Sequence, residues 1–367
     1  MIGVLLVNLL DFFRLSLFQH ILTFHSHAGW ANHAIDLTVA ELLEFKAFSL
    51  FSLTFGIGVA VQAERAALRG VPAEIFLLRR FLILLAFGVG HLVLVSNVDI
   101  LTLYAVCGLL MIPLLRLPAA VLALVGLALV YLPELVPHGP MLPDESVIRV
   151  HAANATRVYR EGSFGEILLF RWRETQQMIA PLLIGWAQRT LGLMILGAAV
   201  WRYGLVRDAA RHRVFLWAVC AGAGIVGLIN TTAGVVHEST GRSVAIPPAF
   251  QFLGSYVPLA FAYAAGLLAW RRSVRCAAVT APLAAAGRMA LSNYLTQSLV
   301  FAFLFYGFGL GLFGRLSPVG AAAMGIALYA GQLWFSMWWL HRYRFGPFEW
   351  LWRSLTYGRR QPMLPAI

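Results

Sequence analysis

The residues best suited to chemistry stand in stretches that are otherwise apolar. Lys46 is the single lysine of the chain and lies in the run ELLEFKAFSLFSLTFGIG. A charge at the centre of a membrane helix costs about 2.5–3.5 kcal/mol on insertion scales, so a buried charge there indicates function. Glu44 and Glu41 precede Lys46 by two and five residues, and neither spacing suits a helical pair. A buried Lys46 therefore needs a partner from another helix, whereas a lysine that extends to the membrane surface needs none.

His91 and Asp99 bracket the short stretch HLVLVSNVD. An imidazole can act as a base near neutral pH, and a carboxylate beside it fixes its tautomer and raises its basicity. The alternative is a structural histidine next to a helix-capping aspartate. Tyr104 follows five residues later and brings a hydroxyl to the same place. We predict that Lys46, His91 and Asp99 form one charged cluster below the outer surface of a membrane, where an acceptor hydroxyl is activated.

The first polar segment holds four histidines, His20, His25, His27 and His33, together with Asp36. Their spacing matches no helical pair of zinc ligands, so we predict no metal. A catalytic base from this segment is the better hypothesis, and His33 is then the candidate.

Polar residues recur at helical spacing in the stretch GRMALSNYLTQS. Arg288 and Ser292 form one row, and Asn293 and Gln297 form the neighbouring row. Polar groups in lipid must be paired inside the bundle, so we predict that this stripe faces the protein interior. There it lines a cavity together with Tyr104, or it serves only for hydrogen bonds between helices. Both interpretations stay open.

Membrane helices must position these residues. Apolar residues make up 60% and charged residues 12% of the 367 residues, whereas a soluble domain carries about a quarter charged residues. Mostly apolar runs long enough to cross a bilayer recur along the whole length. We predict an all-α polytopic membrane protein with a single integral-membrane domain, 1–367. Its ten spanning segments are predicted at 1–19, 42–62, 76–96, 99–115, 118–136, 180–201, 213–235, 247–270, 285–307 and 318–340.

Arginines cluster after alternate segments and in the tail, and basic residues in short loops stay cytoplasmic. We therefore predict that both termini are cytoplasmic. The segment 137–179 sets five arginines against five acidic residues and is long enough to fold as a small extracytoplasmic cap. This topology also explains the net charge of +12, and no nucleic-acid partner is predicted.

The tail 341–367 predicts a short helix on the cytoplasmic membrane surface, anchored by tryptophans. Glu349 and Arg353 have the spacing of a favourable helical ion pair. Alternatively, Arg353 acts with Arg79 and Arg80 to hold the phosphates of a cytoplasmic donor.

Four stretches together resemble one family: FKAFSLFSLTFGIG, RRFLILLAFGVGHLVLVSNVDILTLYAVCGLL, GRMALSNYLTQS and RFGPFEWLWRSLTYG. They are similar to the YeiB-like bacterial inner-membrane proteins, the domain-of-unknown-function family 418. Members usually open with an arginine-containing lead before the GxLLVN stretch, so we expect the first helix to lack its cytoplasmic end. The family is in turn distantly similar to polytopic acyltransferases.

The resemblance implies transfer of an acyl group from a cytoplasmic acyl-CoA to an extracytoplasmic sugar or lipid hydroxyl, with no bound cofactor. The alternative is a transporter or lipid-handling protein without catalytic activity, and a non-catalytic membrane partner is a third hypothesis. No inverted repeat or pair of broken helices favours transport. Binding or hydrolysis of acyl-CoA separates the first hypothesis from the other two.

Overall fold

The computed structural model describes residues 1–16, 18–19, 22, 29–97, 99–135, 144–254, 256–270 and 274–364. Every regular element within these ranges is a helix. In chain order the α-helices are α1 (Ile2–Val7), α2 (Trp30–Leu42), α3 (Lys46–Leu68), α4 (Ala73–Leu94), α5 (Ile100–Leu114), α6 (Ala119–Tyr131), α7 (Glu145–Glu161), α8 (Phe164–Glu174), α9 (Ala180–Arg202), α10 (Arg213–Thr240), α11 (Pro248–Leu253), α12 (Tyr256–Trp270), α13 (Val274–Arg288), α14 (Ala290–Phe305), α15 (Pro318–Arg342) and α16 (Pro347–Tyr357). α1 continues into a π-helical segment at Asn8–Phe13, and a second one at Thr175–Ile179 precedes α9.

The lengths and composition of these helices suit a membrane protein. Within the described residues, four stretches are long and apolar enough to cross a bilayer: Trp30–Leu68, Ala73–Leu94, Arg213–His237 and Pro318–Arg342. Shorter apolar helices lie at Ile2–Phe13, Ile100–Leu114, Ala119–Tyr131, Tyr256–Trp270 and Ala290–Phe305. Each of the ten predicted segments contains a helix. The number of crossings and the cytoplasmic location of the termini stay predictions.

A break separates α2 from α3 at the place where the sequence favours a continuous helix. α2 ends at Leu42 and α3 begins at Lys46. Phe45, between them, has a φ of 54°, in the left-handed region that side chains with a Cβ rarely occupy. The break changes which side chains Lys46 can reach.

A second break falls inside the predicted segment 285–307. α13 ends at Arg288, and α14 begins at Ala290 after Met289. Arg288 therefore belongs to a different helix from Asn293 and Gln297, and the helical row that was predicted to join it to Ser292 does not exist.

Glycines allow the central helices α3 and α9 to approach closely. A Cβ at Gly56 of α3 would lie 1.9 Å from the carbonyl oxygen of Met194 on α9. A Cβ at Gly197 of α9 would lie 2.1 Å from the carbonyl oxygen of Leu53 on α3. Small residues at such contacts let helix backbones pack directly against each other in membranes. α9 also packs on α5 and α6, so this contact fixes the centre of the bundle.

We expect Gly56→Ala to destabilise the protein strongly, because its methyl group would overlap backbone atoms of α9 that cannot move aside cheaply. Gly90→Ala is the matched control, since no atom lies within 4 Å of the added Cβ and alanine favours a helix by up to about 1 kcal/mol over glycine. The unfolding temperature of each purified variant in detergent measures the difference. Equal unfolding temperatures would contradict the close α3–α9 contact.

Candidate functional site

His91 and Asp99 meet at the turn between α4 and α5. Asp99 is the N-cap residue of α5, where its Oδ2 accepts a hydrogen bond from the backbone N–H of Thr102 at 2.5 Å. Its other oxygen, Oδ1, lies 2.8 Å from His91 Nδ1, and the two side chains are 0% and 1% exposed. The ring and carboxylate are not aligned for a straight hydrogen bond, so a rotation of the imidazole is needed to complete it. The aspartate thus caps a helix and faces the histidine at the same time.

Gly88 makes this approach of α4 and α5 sterically possible. A Cβ at Gly88 would lie 2.5 Å from the backbone nitrogen of Thr102, the same N–H that Asp99 caps. His91 follows Gly88 by three residues and therefore lies on nearly the same face of α4. Because Gly88 has no side chain, the start of α5 can pack closely against α4 beside the imidazole.

Two buried tyrosines lie on the neighbouring helices α14 and α5. The ring of Tyr294, from α14, packs on the ring of His91 with centroids 5.1 Å apart, and its hydroxyl lies near the Asp99 carboxylate. Tyr104 forms a hydrogen bond of 2.7 Å with Ser52 Oγ of α3. His91 Nε2 makes no hydrogen bond within the described residues. Nε2 is itself buried, so an external hydroxyl group reaches it only if the surrounding side chains move.

Lys46 lies in another environment from the one predicted. Its ammonium donates to the carbonyl oxygen of Ala40 at 3.0 Å, lies 3.9 Å from Glu41 Oε2 and sits 4.8 Å from the ring centre of Tyr256. It forms no ion pair with Asp99, and its side chain is only 1% exposed. The predicted cluster with His91 and Asp99 is therefore not seen.

The break at Phe45 explains why Lys46 contacts Glu41 and not Asp99. It folds α3 back so that Lys46 reaches Glu41, which a continuous helix would place on another face. The ammonium also meets a carbonyl at the C-terminal end of α2, where the helix dipole favours a cation. Lys46 is buried, and its ammonium joins the start of α3 to the end of α2.

The alternative base, His33, is half-buried on α2. Its side chain makes no hydrogen bond or ion pair within the described part of the chain. His20, His25 and His27 lie outside the described residues. No group of three or more metal ligands is found among the residues that are described.

The polar stripe of α14 forms hydrogen bonds to neighbouring helices. Asn293 Nδ2 donates to Ser336 Oγ of α15 at 3.1 Å, and Gln297 Nε2 donates to Gln332 Oε1 at 2.6 Å. Both residues are buried, as predicted. Arg288 is exposed, contrary to the prediction, because the break at Met289 places it on α13.

A small apolar cavity of about 80 Å³ adjoins Asp99. Helices α1, α3, α5 and α9 wall it with side chains such as Val4, Phe48, Leu103 and Trp186. Glu44 also lines this cavity. Asp99 therefore borders an apolar space large enough for only a few heavy atoms.

A buried ion pair at the end of the first helix was not foreseen. Arg14 Nη2 lies 4.0 Å from Asp36 Oδ1, with side-chain exposures of 3% and 0%, and Asp11 is buried one turn earlier. Asp11 and Arg14 lie three residues apart in the predicted segment 1–19. Two charges inside an apolar segment were the signal from which a buried ion pair could have been predicted.

A second pair of a histidine and a carboxylate was also missed. Glu174 accepts hydrogen bonds from His151 Nε2 and from the Tyr159 hydroxyl, each at 2.6 Å. Asn97, in the turn between His91 and Asp99, donates to the same carboxylate. This network connects helices α7 and α8 to the turn between His91 and Asp99. Nothing in the local spacing indicates it, because its members are distant in the sequence.

The opposite end of α4 borders a cavity of about 310 Å³ that is rich in arginine. Arg65 comes from α3, Arg69 caps the C-terminal end of that helix, Arg80 comes from α4 and Arg353 from α16. None of the described residues that line it carries a carboxylate. Burial lowers the pKa of the Arg353 guanidinium, although the Tyr357 phenol opposes this, and the nearby charges of Arg69, Arg344 and Arg65 lower it further. An accumulation of cations without a facing acid favours an anionic ligand.

Helix α16 closes this cavity by packing on α4. The guanidinium of Arg80 lies 3.5 Å from the ring centre of Trp352, whose indole N–H donates to the carbonyl oxygen of Arg80 at 2.9 Å. Arg353 Nε makes no hydrogen bond within the described residues. Arg79, the third predicted donor-binding residue, does not line the cavity but lies beside Gly358, where a Cβ would be 2.9 Å from its Nη2.

Comparison with known proteins identifies the family. Residues 200–359 match the family model described as protein of unknown function (DUF418). The uncharacterized protein YxaH of Bacillus subtilis (strain 168) is 30% identical over 381 residues, which cover 98% of this chain and 92% of that protein. This chain belongs to the DUF418 family.

Another relative is the uncharacterized protein YeiB of Escherichia coli (strain K12), 28% identical over 88% of this chain and 84% of its own length. An uncharacterized 39.9 kDa protein in the amylase 3'region of Bacillus acidopullulyticus is 26% identical over 99% of this chain. No solved structure is significantly similar. Since these names carry no activity, the function of this family member must be argued from its sites.

Two of the motifs that resemble the family bind each other. Glu349, from RFGPFEW, accepts hydrogen bonds from the backbone N–H of Ser292 at 2.9 Å and from its hydroxyl at 2.5 Å. Ser292 Oγ in turn accepts from the backbone N–H of Phe348 at 3.1 Å. Glu349 therefore joins the start of α16 to the first turn of α14 and is not seen in the predicted ion pair with Arg353.

We expect Lys46→Met to lower the free energy of unfolding by about 1–3 kcal/mol, because it leaves the half-buried Ala40 carbonyl without this donor and removes the cation facing Glu41. Arg242→Met is the control, since it also removes one positive charge but at an exposed position. Thermal unfolding of the two purified variants measures the effect. A Lys46→Met protein as stable as the control would show that Lys46 does not stabilise the α2–α3 junction.

Proposed function

We propose that the protein is an acyltransferase of the inner membrane, which transfers an acyl group from a cytoplasmic acyl-CoA to an extracytoplasmic sugar or lipid hydroxyl. The observation that supports it best is the presence of two complementary sites on one helix. The arginine-lined cavity adjoins Arg80 of α4, and the buried His91–Asp99 pair lies eleven residues further along the same helix. Eleven residues of α-helix correspond to about 16 Å, roughly half the thickness of a hydrocarbon core.

The His91–Asp99 pair supplies the base that this reaction needs. The acceptor oxygen attacks the thioester carbonyl, so that a C–O bond forms and the C–S bond breaks. His91 Nε2 takes the proton from the hydroxyl, and Asp99 stabilises the resulting imidazolium. The imidazolium then returns the proton to the thiolate of CoA. Burial of both side chains keeps water away from the thioester and so disfavours hydrolysis.

The arginine-lined cavity suits the nucleotide end of the donor, which carries several phosphate groups. Guanidinium groups bind phosphate through charge-assisted and often paired hydrogen bonds. The four arginines line one space of about 310 Å³, a size typical of small-ligand sites. An anion there would also offset the mutual repulsion of Arg69 and Arg353.

The acyl end must pass between α3, α4 and α5 to reach His91. Aromatic rings fill this region, with Phe55 lying 6.2 Å from Phe81 and 5.1 Å from Tyr104 between centroids. Transfer therefore requires these rings to change rotamer when the donor binds. Transport through the polar stripe of α14 has less support, since the side chains of Asn293 and Gln297 hydrogen-bond to neighbouring helices.

We expect the double variant Arg80→Ala, Arg353→Ala to bind CoA at least tenfold more weakly, because each lost charge-assisted hydrogen bond is worth about 1.5–3 kcal/mol. Arg211→Ala removes an exposed arginine outside the cavity and should bind like the unmodified protein. Isothermal titration with CoA in detergent measures both. Unchanged affinity of the double variant would contradict the donor site.

We expect His91→Ala to reduce acyl transfer by at least about a hundredfold, the usual contribution of a general base. The assay measures thiol release from acetyl-CoA and longer acyl-CoAs in the presence of methyl glycosides or monoacylglycerols, and intact folding is checked by gel filtration. His237→Ala, at an exposed histidine of α10, is the control. Full activity of His91→Ala would move the base elsewhere, and no thiol release by the unmodified protein with any donor and acceptor would contradict the proposed function.

A further inference from the structure

Glu174, at the C-terminal end of α8, carries a buried carboxylate that the proposed reaction does not use. Its side chain is 3% exposed and contacts three hydrogen-bonding groups among the described residues. Oε1 lies 2.6 Å from His151 Nε2. Oε2 accepts hydrogen bonds from the Tyr159 hydroxyl at 2.6 Å and from Asn97 Nδ2. The carboxylate has little freedom to rotate, because a rotation would break at least one of these contacts.

Asn97 differs from the other two partners because it lies outside α7 and α8. It belongs to the short turn between α4 and α5, which connects His91 to Asp99. The first half of this turn is bound to α4 itself, since the backbone N–H of Ser96 donates to the carbonyl oxygen of His91 at 3.0 Å. The side chain of Asn97 binds the second half to Glu174. Glu174 therefore holds the part of the turn that leads into Asp99.

Helix α8 makes a second contact with the same end of α4. Arg171 precedes Glu174 by three residues and lies on nearly the same face of α8. Its Nη1 lies 3.5 Å from the carbonyl oxygen of Val93, in the last turn of α4. Its buried guanidinium lies 5.3 Å from the ring centre of Tyr306, which follows α14. α8 is thus attached to α4 and to the end of α14 independently of Asn97.

The geometry of the candidate base depends on where this turn places Asp99. Asp99 Oδ1 lies 2.8 Å from His91 Nδ1, and both side chains are buried. A carboxylate of this kind acts by keeping the imidazole in one tautomer and one orientation. Displacement of a group in an active site by about 1 Å can lower the rate on the order of a hundredfold. A contact that fixes the turn therefore bears on the reaction without touching the substrate.

We propose that Glu174 is a positioning residue for the His91–Asp99 pair, because it holds, through Asn97, the turn that sets the place of Asp99 beside the imidazole. The expected effect on the rate rests on the proposed function, whereas the effect on the orientation of His91 does not. If Glu174 served only to join α7 to α8, loss of the Asn97 side chain would have no consequence at His91.

The test removes the contact from the side of the turn. Asn97→Ala deletes one donor to Glu174 and leaves the contacts of this carboxylate with α7 in place. Asn154→Ala is the matched control, because it makes the same change at an exposed position of α7. Nitrogen NMR of the purified protein, isotopically labelled at its histidines, reports the tautomer and hydrogen bonds of each ring. The signals that are absent from His91→Ala belong to His91, and we expect Asn97→Ala to shift them and Asn154→Ala to leave them unchanged.

The transfer assay measures the consequence for the reaction. We expect Asn97→Ala to lower kcat about tenfold, the effect of one lost hydrogen bond to a charged group, with KM for acyl-CoA unchanged. Glu174→Ala should lower kcat at least as much. Glu174→Gln should recover most of the activity, because its amide oxygen can still accept the hydrogen bond from Asn97.

The two measurements distinguish this inference from the proposed function. Shifted His91 signals in Asn97→Ala support the positioning role even if the unmodified protein transfers no acyl group. Unchanged His91 signals in folded Asn97→Ala, with folding checked by gel filtration, would overturn the inference whatever the transfer assay shows. If Glu174→Ala fails to fold, Asn97→Ala decides the question alone, since Asn97 is only half-buried.

Discussion

The structure around the turn between α4 and α5 depends on the carboxylate of Asp99. One oxygen caps the first turn of α5, and the other faces His91 at the end of α4. The close contact at Gly88 makes this double role possible, because any side chain there would separate the two helices. The orientation of the histidine is therefore a consequence of how α5 begins.

At the other end of α4, one arginine likewise has two roles in the structure. Arg80 stacks on Trp352 and also lines the arginine-rich cavity, so the docking of α16 and the shape of the cavity depend on each other. Glu349 fixes the other end of α16 to Ser292. The two contacts hold α16 against both α4 and α14, which makes it an integral wall of the bundle and more than a surface anchor.

Features that depend on residues close together in the sequence were predicted best. Apolar runs are local, so every predicted segment contains a helix, and His91 and Asp99 were recognised because only one turn separates them. The contact between Lys46 and Glu41 was not predicted, because the spacing rules assume a continuous helix. The left-handed conformation of Phe45, which interrupts that helix, cannot be predicted from its residue type.

Contacts between distant segments were harder to foresee. His151, Glu174 and Asn97 come from separate elements, and no periodic pattern relates them. The grouping of Arg80 with Arg353 was an exception, because both belong to segments whose positive charge assigns them to the same membrane face.

The arginine-rich cavity is completed late in synthesis, because its lining residues come from early and late parts of the chain. Arg65 and Arg69 leave the ribosome early, whereas Arg353 and Tyr357 follow only after almost every other helix has been made. Until α16 docks, Arg80 lacks its stacking partner and the cavity lacks one wall. A partly synthesised chain therefore lacks this closed cavity, which forms only after α16 has docked on α4.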